Sequence, residues 1–269
     1  AHQFWELGVV GSNPITPTIY YNMTVKKPLV IYLHGFLGHH NDANSLIQKH
    51  SSFDLVGISW SKLIQDNNCK TLVDLAITLN TLIENHYDKA RYLYGYSMGG
   101  RLAMQLVGLY PEKWQGLILE SAHIGFENGV QRRSQQIHWQ ETFQKLMSSD
   151  ITTFLKQWYD QPLFHRSKQL LSQQEWKKKE GYSLEFIRDW ALLFQTGNQI
   201  YFRETLRSWK NPILFLAGDE DSKYKELGLT LEKHIMAMKT VVVKQADHNV
   251  HVSNPVAVIA EINDFLKDA

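Results

Sequence analysis

Short apolar runs recur along this chain, each closed by Gly, Pro or a cluster of polar residues. The first, LVIYLH at 29–34, is stopped by Gly35, and unbroken apolarity over so short a stretch predicts a strand covered on both faces, as in a parallel sheet. Similar runs lie at 53–60, 90–96, 116–120, 212–217 and 240–244. Between most of them, the stretches 71–85, 98–110, 222–238 and 255–266 repeat their apolar residues at helical spacing. Strand alternating with helix predicts βαβ units and a doubly wound α/β sheet. The alternation stops between Ala122 and Trp209, where polar, Gln-rich and Trp-bearing stretches carry only helical spacing, as at Trp139, Phe143 and Leu146. The expected organisation is therefore an irregular lead-in over 1–24, an α/β core built from 25–122 and 210–269, and a helical insertion over 123–209. An insertion between two strands of such a sheet is expected to lie over the strand ends, where open α/β sheets bind ligands, and to act as a lid.

Composition narrows the function classes. With 269 residues, 43% hydrophobic and 20% charged, the chain has material for a sizeable core and is neither disordered nor fibrous. The net charge is +1, and the basic residues are scattered apart from Lys177, Lys178 and Lys179, so no basic stripe invites nucleic acid. No apolar run reaches the length of a membrane span, and no signal-peptide pattern opens the sequence. The one cysteine, Cys69, can form neither an internal disulfide nor a Cys-rich metal site. A cytoplasmic protein is the expectation. Oligomeric state is not readable from the sequence.

Gly95-Tyr96-Ser97-Met98-Gly99 follows one apolar run and opens a helical stretch. A G-x-S-x-G in that setting makes a tight strand-to-helix turn that presents a serine nucleophile, and the glycines are needed because side chains there would strike neighbouring backbone. Such a serine requires an acid after a late strand and a histidine after the last one, in that order. Ile213 to Ala217 leads into Gly218-Asp219-Glu220-Asp221, and Val241 to Lys244 leads into Ala246-Asp247-His248, with His251 just beyond. Asp221 is chosen for its G-x-x-D spacing and His248 because it stands first after its strand; Asp219 and His251 are the alternatives. His34-Gly35-Phe36-Leu37-Gly38 follows the first strand, and the backbone N–H groups of Phe36 and Met98 are the expected oxyanion hole. His34 is expected to support that loop, and His123, after a strand end, to come near a ligand. The other histidines, His40 and His138 among them, read as surface residues. No metal-ligand spacing stands out.

Longer motifs carry a resemblance. The run 95–104 (GYSMGGRLAM), Trp158-Tyr159-x-x-Pro162-Leu163-Phe164, Gly218-x-x-Asp221-Ser222-Lys223-Tyr224 and Asp247-His248-Asn249-x-His251-x-x-Asn254-Pro255 together resemble the 2-succinyl-6-hydroxy-2,4-cyclohexadiene-1-carboxylate synthases of menaquinone biosynthesis, from about Pro28 onward. These belong to the α/β-hydrolase superfamily. The resemblance implies an α/β-hydrolase fold with a mostly parallel central sheet, and a lyase that eliminates pyruvate from 2-succinyl-5-enolpyruvyl-6-hydroxy-3-cyclohexene-1-carboxylate without cofactor. It implies Ser97, Asp221 and His248 as catalytic residues, and a small anionic tricarboxylate as partner. Arg101, Tyr96 and Trp158 match pocket residues of that family. Its first lid arginine, several residues before a Trp, is matched by Arg132 rather than the adjacent Arg133. The second has no clean match among Lys177 to Lys179 and Arg188. A thioesterase or carboxylesterase using the same triad is the alternative, though its pocket would be expected to hold few cations.

Overall fold

The apolar runs pair into one parallel sheet. Its strands are β1 (Leu29–Leu33), β2 (Asp54–Ile58), β3 (Tyr92–Tyr96), β4 (Gly116–Glu120), β5 (Ile213–Gly218) and β6 (Met238–Val243), in the order β2-β1-β3-β4-β5-β6. This is a computed structural model describing residues 27–46, 52–67, 69–87, 89, 91–146 and 150–268. The lead-in expected over 1–24 lies outside the described residues, as do His2, His50 and Ala90.

β3 and β4 are buried along their whole length because both sheet faces are covered, which is why they read as continuous apolar runs. On one face Ile31, Leu33, Leu93, Leu117 and Phe215 pack under α1 (Trp60–Asp66), α2 (Leu72–His86) and α3 (Met98–Leu109). On the other, Val30, Tyr32, Tyr94, Ile118 and Leu214 meet the C-terminal helix that begins at Pro255. Each large aliphatic side chain so covered contributes roughly 1.5–3 kcal/mol. α2 starts where its sequence says it should: Thr71 Oγ1 accepts from the Asp74 amide at 3.1 Å, and the Asp74 carboxylate accepts the Thr71 amide at 2.9 Å.

Two expected boundaries are corrected. The run 53–60 is not all strand, since β2 ends at Ile58 and Trp60 opens α1. The helix expected over 222–238 ends at Glu232, and β6 begins at Met238, two residues before the expected run. Ile235 and Met236 continue a helical apolar pattern, but the chain turns there, with the His234 and Ile235 amides both donating to the Leu231 carbonyl.

β4 and β5 are hydrogen-bonded neighbours, yet the chain between them leaves the sheet and folds as α4 (Gly129–Leu146), α5 (Ile151–Tyr159), α6 (Ser167–Leu170), α7 (Gln173–Glu180), α8 (Leu184–Phe194) and α9 (Arg203–Ser208). Phe143, Phe154, Leu155, Phe164 and Ile187 give these helices an apolar cluster of their own, closed by Leu37 from the loop after β1. The chain returns as β5, α10 (Ser222–Glu232), β6, α11 (Val250–Ser253) and α12 (Pro255–Asp268).

Candidate active site

Ser97 sits at the sharp turn between β3 and α3 with φ +50° and ψ −105°, a strained conformation for any residue but glycine. The surroundings enforce it. The Ser97 amide donates to the Glu120 carbonyl at 2.7 Å, and a Cβ on Gly99 would lie 2.0 Å from the Leu33 carbonyl oxygen. The glycines around the serine are thus required by close packing of α3 on β1 and β3.

His248, in the loop after β6, brings its ring between the serine and an acid. Its Nδ1–H donates to Asp221 Oδ2 at 2.7 Å, which leaves Nε2 to accept from the Ser97 hydroxyl at 3.0 Å. Asp221 caps α10, accepting the Tyr224 amide at 3.2 Å. Both partners are buried, His248 at 4% exposure and Asp221 at 7%. The alternatives are engaged elsewhere. Asp219 accepts the Ala246 amide at 3.3 Å and faces Lys244, while His251 is fully buried against Glu120 at 2.9 Å and the Tyr32 hydroxyl at 3.2 Å.

Phe36 and Met98 line the same cavity as Ser97, and neither backbone N–H has an acceptor among the described residues. His34 stacks on Trp60 at 4.8 Å and donates from Nδ1 to the Gly35 carbonyl at 2.9 Å. Burial drives its pKa down to about 3, so it stays neutral and braces the loop. His40, expected at the surface, is buried with Nδ1 against the Ser59 hydroxyl, because the loop folds back onto β2. His123 does not line the cavity; its Nδ1 accepts the Gly125 amide at 3.0 Å.

The cavity measures about 460 Å³, with Tyr96, Trp139 and Trp158 as aromatic walls. Arg101, one turn into α3, is buried where it lines both this cavity and a neighbouring one walled by Leu72, Phe194 and Gln195. It donates to the Phe194 carbonyl, and among the described residues it has no carboxylate partner. Burial lowers its pKa to about 10, which still leaves it charged at neutral pH. Lys223, beside Asp221, is a second cation on the cavity wall.

Arg132, expected as a substrate contact, is not among the residues that line this cavity. It lies on the same side of α4 as Trp139, but two turns earlier, about 10 Å along the axis. There its guanidinium donates to the Phe126 carbonyl at 3.2 Å. Arg133 lines a depression on the outer face of α4, and Arg188 is exposed beside Asp189 at 3.2 Å. Of the three lid lysines, Lys179 is buried and donates to the Leu37 carbonyl at 2.9 Å, so it holds the loop after β1 rather than facing the cavity. Sequence reasoning passed over Lys223, Tyr224, Gln135, His138 and Thr142 as cavity residues. For the first two the signal was their place directly after Asp221; for Gln135 and Thr142 it was the helical spacing from Trp139, and for His138 there was none. Among the described residues, no group of three or more His, Cys, Asp or Glu side chains could hold a metal ion, and no helix is long and apolar enough to cross a membrane.

Comparisons with known proteins agree with this architecture. The chain is 27% identical over 253 residues to a 2-succinyl-6-hydroxy-2,4-cyclohexadiene-1-carboxylate synthase of Serratia proteamaculans (strain 568), covering 89% of this chain and 93% of that protein. The synthase of the same name from Escherichia coli (strain K12) is 27% identical over 251 residues, covering 89% and 94%. Among solved structures, MenH from S. aureus superposes with a TM-score of 0.79 at 23% identity, covering 93% of this chain and 97% of that one. A thermophilic esterase from Thermogutta terrifontis gives 0.71 at 16% identity, covering 90% of each. The family described as alpha/beta hydrolase fold matches residues 28–255, which spans the whole sheet and the helices inserted in it, and the chain belongs to that family.

Proposed function

We propose that this protein is a lyase that eliminates pyruvate from 2-succinyl-5-enolpyruvyl-6-hydroxy-3-cyclohexene-1-carboxylate, giving 2-succinyl-6-hydroxy-2,4-cyclohexadiene-1-carboxylate. Both the names of the relatives and the cavity support the reading. The observation that carries it is Arg101, buried on the wall of the cavity that holds Ser97 and without an acidic partner among the described residues. A buried cation without a protein anion is costly, and a bound carboxylate offsets that cost with a bidentate match. A neutral ester offers no such group.

In the proposed reaction the Ser97–His248 pair removes the proton from the ring carbon next to the succinyl ketone. The Phe36 and Met98 amides hold the enolate oxygen that forms. The electron pair moves through the ring double bond and expels the enolpyruvyl oxygen, releasing pyruvate. Asp221 keeps His248 in the tautomer that accepts from Ser97 and stabilises the imidazolium. Atoms balance without water or cofactor. Incubation of the protein with the enolpyruvyl substrate, following pyruvate, tests the reading: sustained release is expected, and no release from folded protein would overturn it.

A further inference from the structure

Asp247 is a fully buried carboxylate immediately before the base. Its two oxygens face different parts of the chain. Oδ1 accepts from the Asn249 amide and the Ser253 hydroxyl, both at 3.0 Å, within its own loop and α11. Oδ2 accepts from the lid, taking the Arg166 amide at 3.0 Å, the Ser167 amide at 2.8 Å and the Ser167 hydroxyl at 3.0 Å. The Arg166 guanidinium turns away to Glu220. Amides and hydroxyls thus satisfy this charge, and they come from two segments that nothing in the local sequence joins.

The same lid segment touches His248 directly. The His248 amide donates to the Leu163 carbonyl at 3.2 Å, and the Phe164 ring lies 5.8 Å from the imidazole, edge to face. We infer that Asp247 is a positioning residue that clamps lid residues 163–167 onto His248, so that docking of the lid and the aim of the base are set together. The inference rests on His248 being the base and not on the identity of the substrate.

The test replaces the carboxylate by an amide. Asp247→Asn keeps one acceptor oxygen, so it can hold one segment, while its NH2 opposes the donors of the other. The readout is the rate at which a fluorophosphonate probe labels Ser97, forming an Oγ–P bond with loss of fluoride. That reaction needs the Ser97–His248 pair and no particular substrate, so it stands even if no pyruvate is released. Labelling of Asp247→Asn is expected to fall about 10- to 100-fold, the effect of displacing a catalytic group by about 1 Å. Phe164→Ala is expected to slow labelling as well. The double variant should be no slower than the slower single one, because both changes remove one support. Wild-type labelling in folded Asp247→Asn, or losses that multiply in the double variant, would overturn the inference. Should Asp247→Asn not fold, Ser167→Ala removes a single lid donor, is expected to slow labelling about threefold, as loss of one hydrogen bond does, and contradicts the inference if it does not.

Discussion

The sheet and the lid of this protein share apolar packing and differ in their polar contacts. β1, β3, β4 and β5 are joined by continuous parallel ladders, and apolar side chains fill both faces between strands and helices. The lid has its own small aromatic core and also sends Phe186, Trp190, Phe194 and Leu206 into the core over the sheet, with Trp190 and Phe194 against Trp60, and polar ties run from it to the loops around the cavity. Arg101 of α3 donates to the Phe194 carbonyl, and Lys179 and the Tyr182 hydroxyl donate to the Leu37 and Gly38 carbonyls of the loop after β1. Arg166 reaches Glu220 in the acid loop, and Asp247 holds Arg166 and Ser167 beside the base. Each such tie contributes about 1 kcal/mol, whereas truncating one core leucine costs about 2–5 kcal/mol. Apolar packing therefore carries the stability of sheet and lid alike, and the polar ties between them align the loops.

The comparison breaks most visibly inside the triad. Asp221→Asn is expected to lower kcat about 10⁴-fold with little loss of stability, since the imidazole is left in the wrong tautomer, while Asp219→Asn, whose partners are Ala246 and Lys244, stays within about twofold. Equal losses from the two folded variants would contradict the assignment. A lid change should act more weakly and through the loop it touches. Lys179→Met leaves the Leu37 carbonyl buried without its donor, at a cost of about 1–3 kcal/mol, and is expected to lower kcat about tenfold with KM nearly unchanged. Steady-state kinetics of the variant read this, and a rise in KM alone would place Lys179 against substrate instead.

The last effect concerns pH and the loop that His34 braces. Burial holds His34 neutral with a pKa of about 3, below its unfolded value of about 6.5. Between those values the unfolded chain binds the extra proton, so this contribution is complete above about pH 6.5 and falls by about 1.4 kcal/mol per pH unit below it. Urea midpoints at pH 7 and pH 5 check this: His34→Gln should show the shallower acid loss, and an equal slope would refute the role given to burial.

Much of the sheet was legible because a strand buried on both faces is written as an uninterrupted apolar run, as at 29–34 and 116–120. β6 was less so. It is an edge strand with a single neighbour and half-buried residues, and its start at Met238 blends into the apolar Ile235 and Met236 of the turn after α10. The order of Ser97, Asp221 and His248 was readable because each follows a strand, and parallel strands end on one side of the sheet. The lid resisted because α4 exposes most of its residues, so no stripe marks the face that meets the cavity. The resemblance pointed to Arg132 by its spacing from Trp139, but spacing alone could not show how far along the axis of α4 the cavity extends. Nor could a run of three lysines show that one of them, Lys179, is buried.

Arg101 tests the central claim most directly, because it separates a tricarboxylate site from an ester site on one triad. Pyruvate release from the enolpyruvyl substrate and hydrolysis of a small neutral ester should be measured side by side in wild type and Arg101→Ala. Loss of a buried charge partner of about 2–5 kcal/mol predicts a fall of roughly 30-fold to several thousand-fold in kcat/KM for the tricarboxylate, with ester hydrolysis changed far less. Parallel losses in both reactions, or an undiminished tricarboxylate reaction in Arg101→Ala, would contradict it.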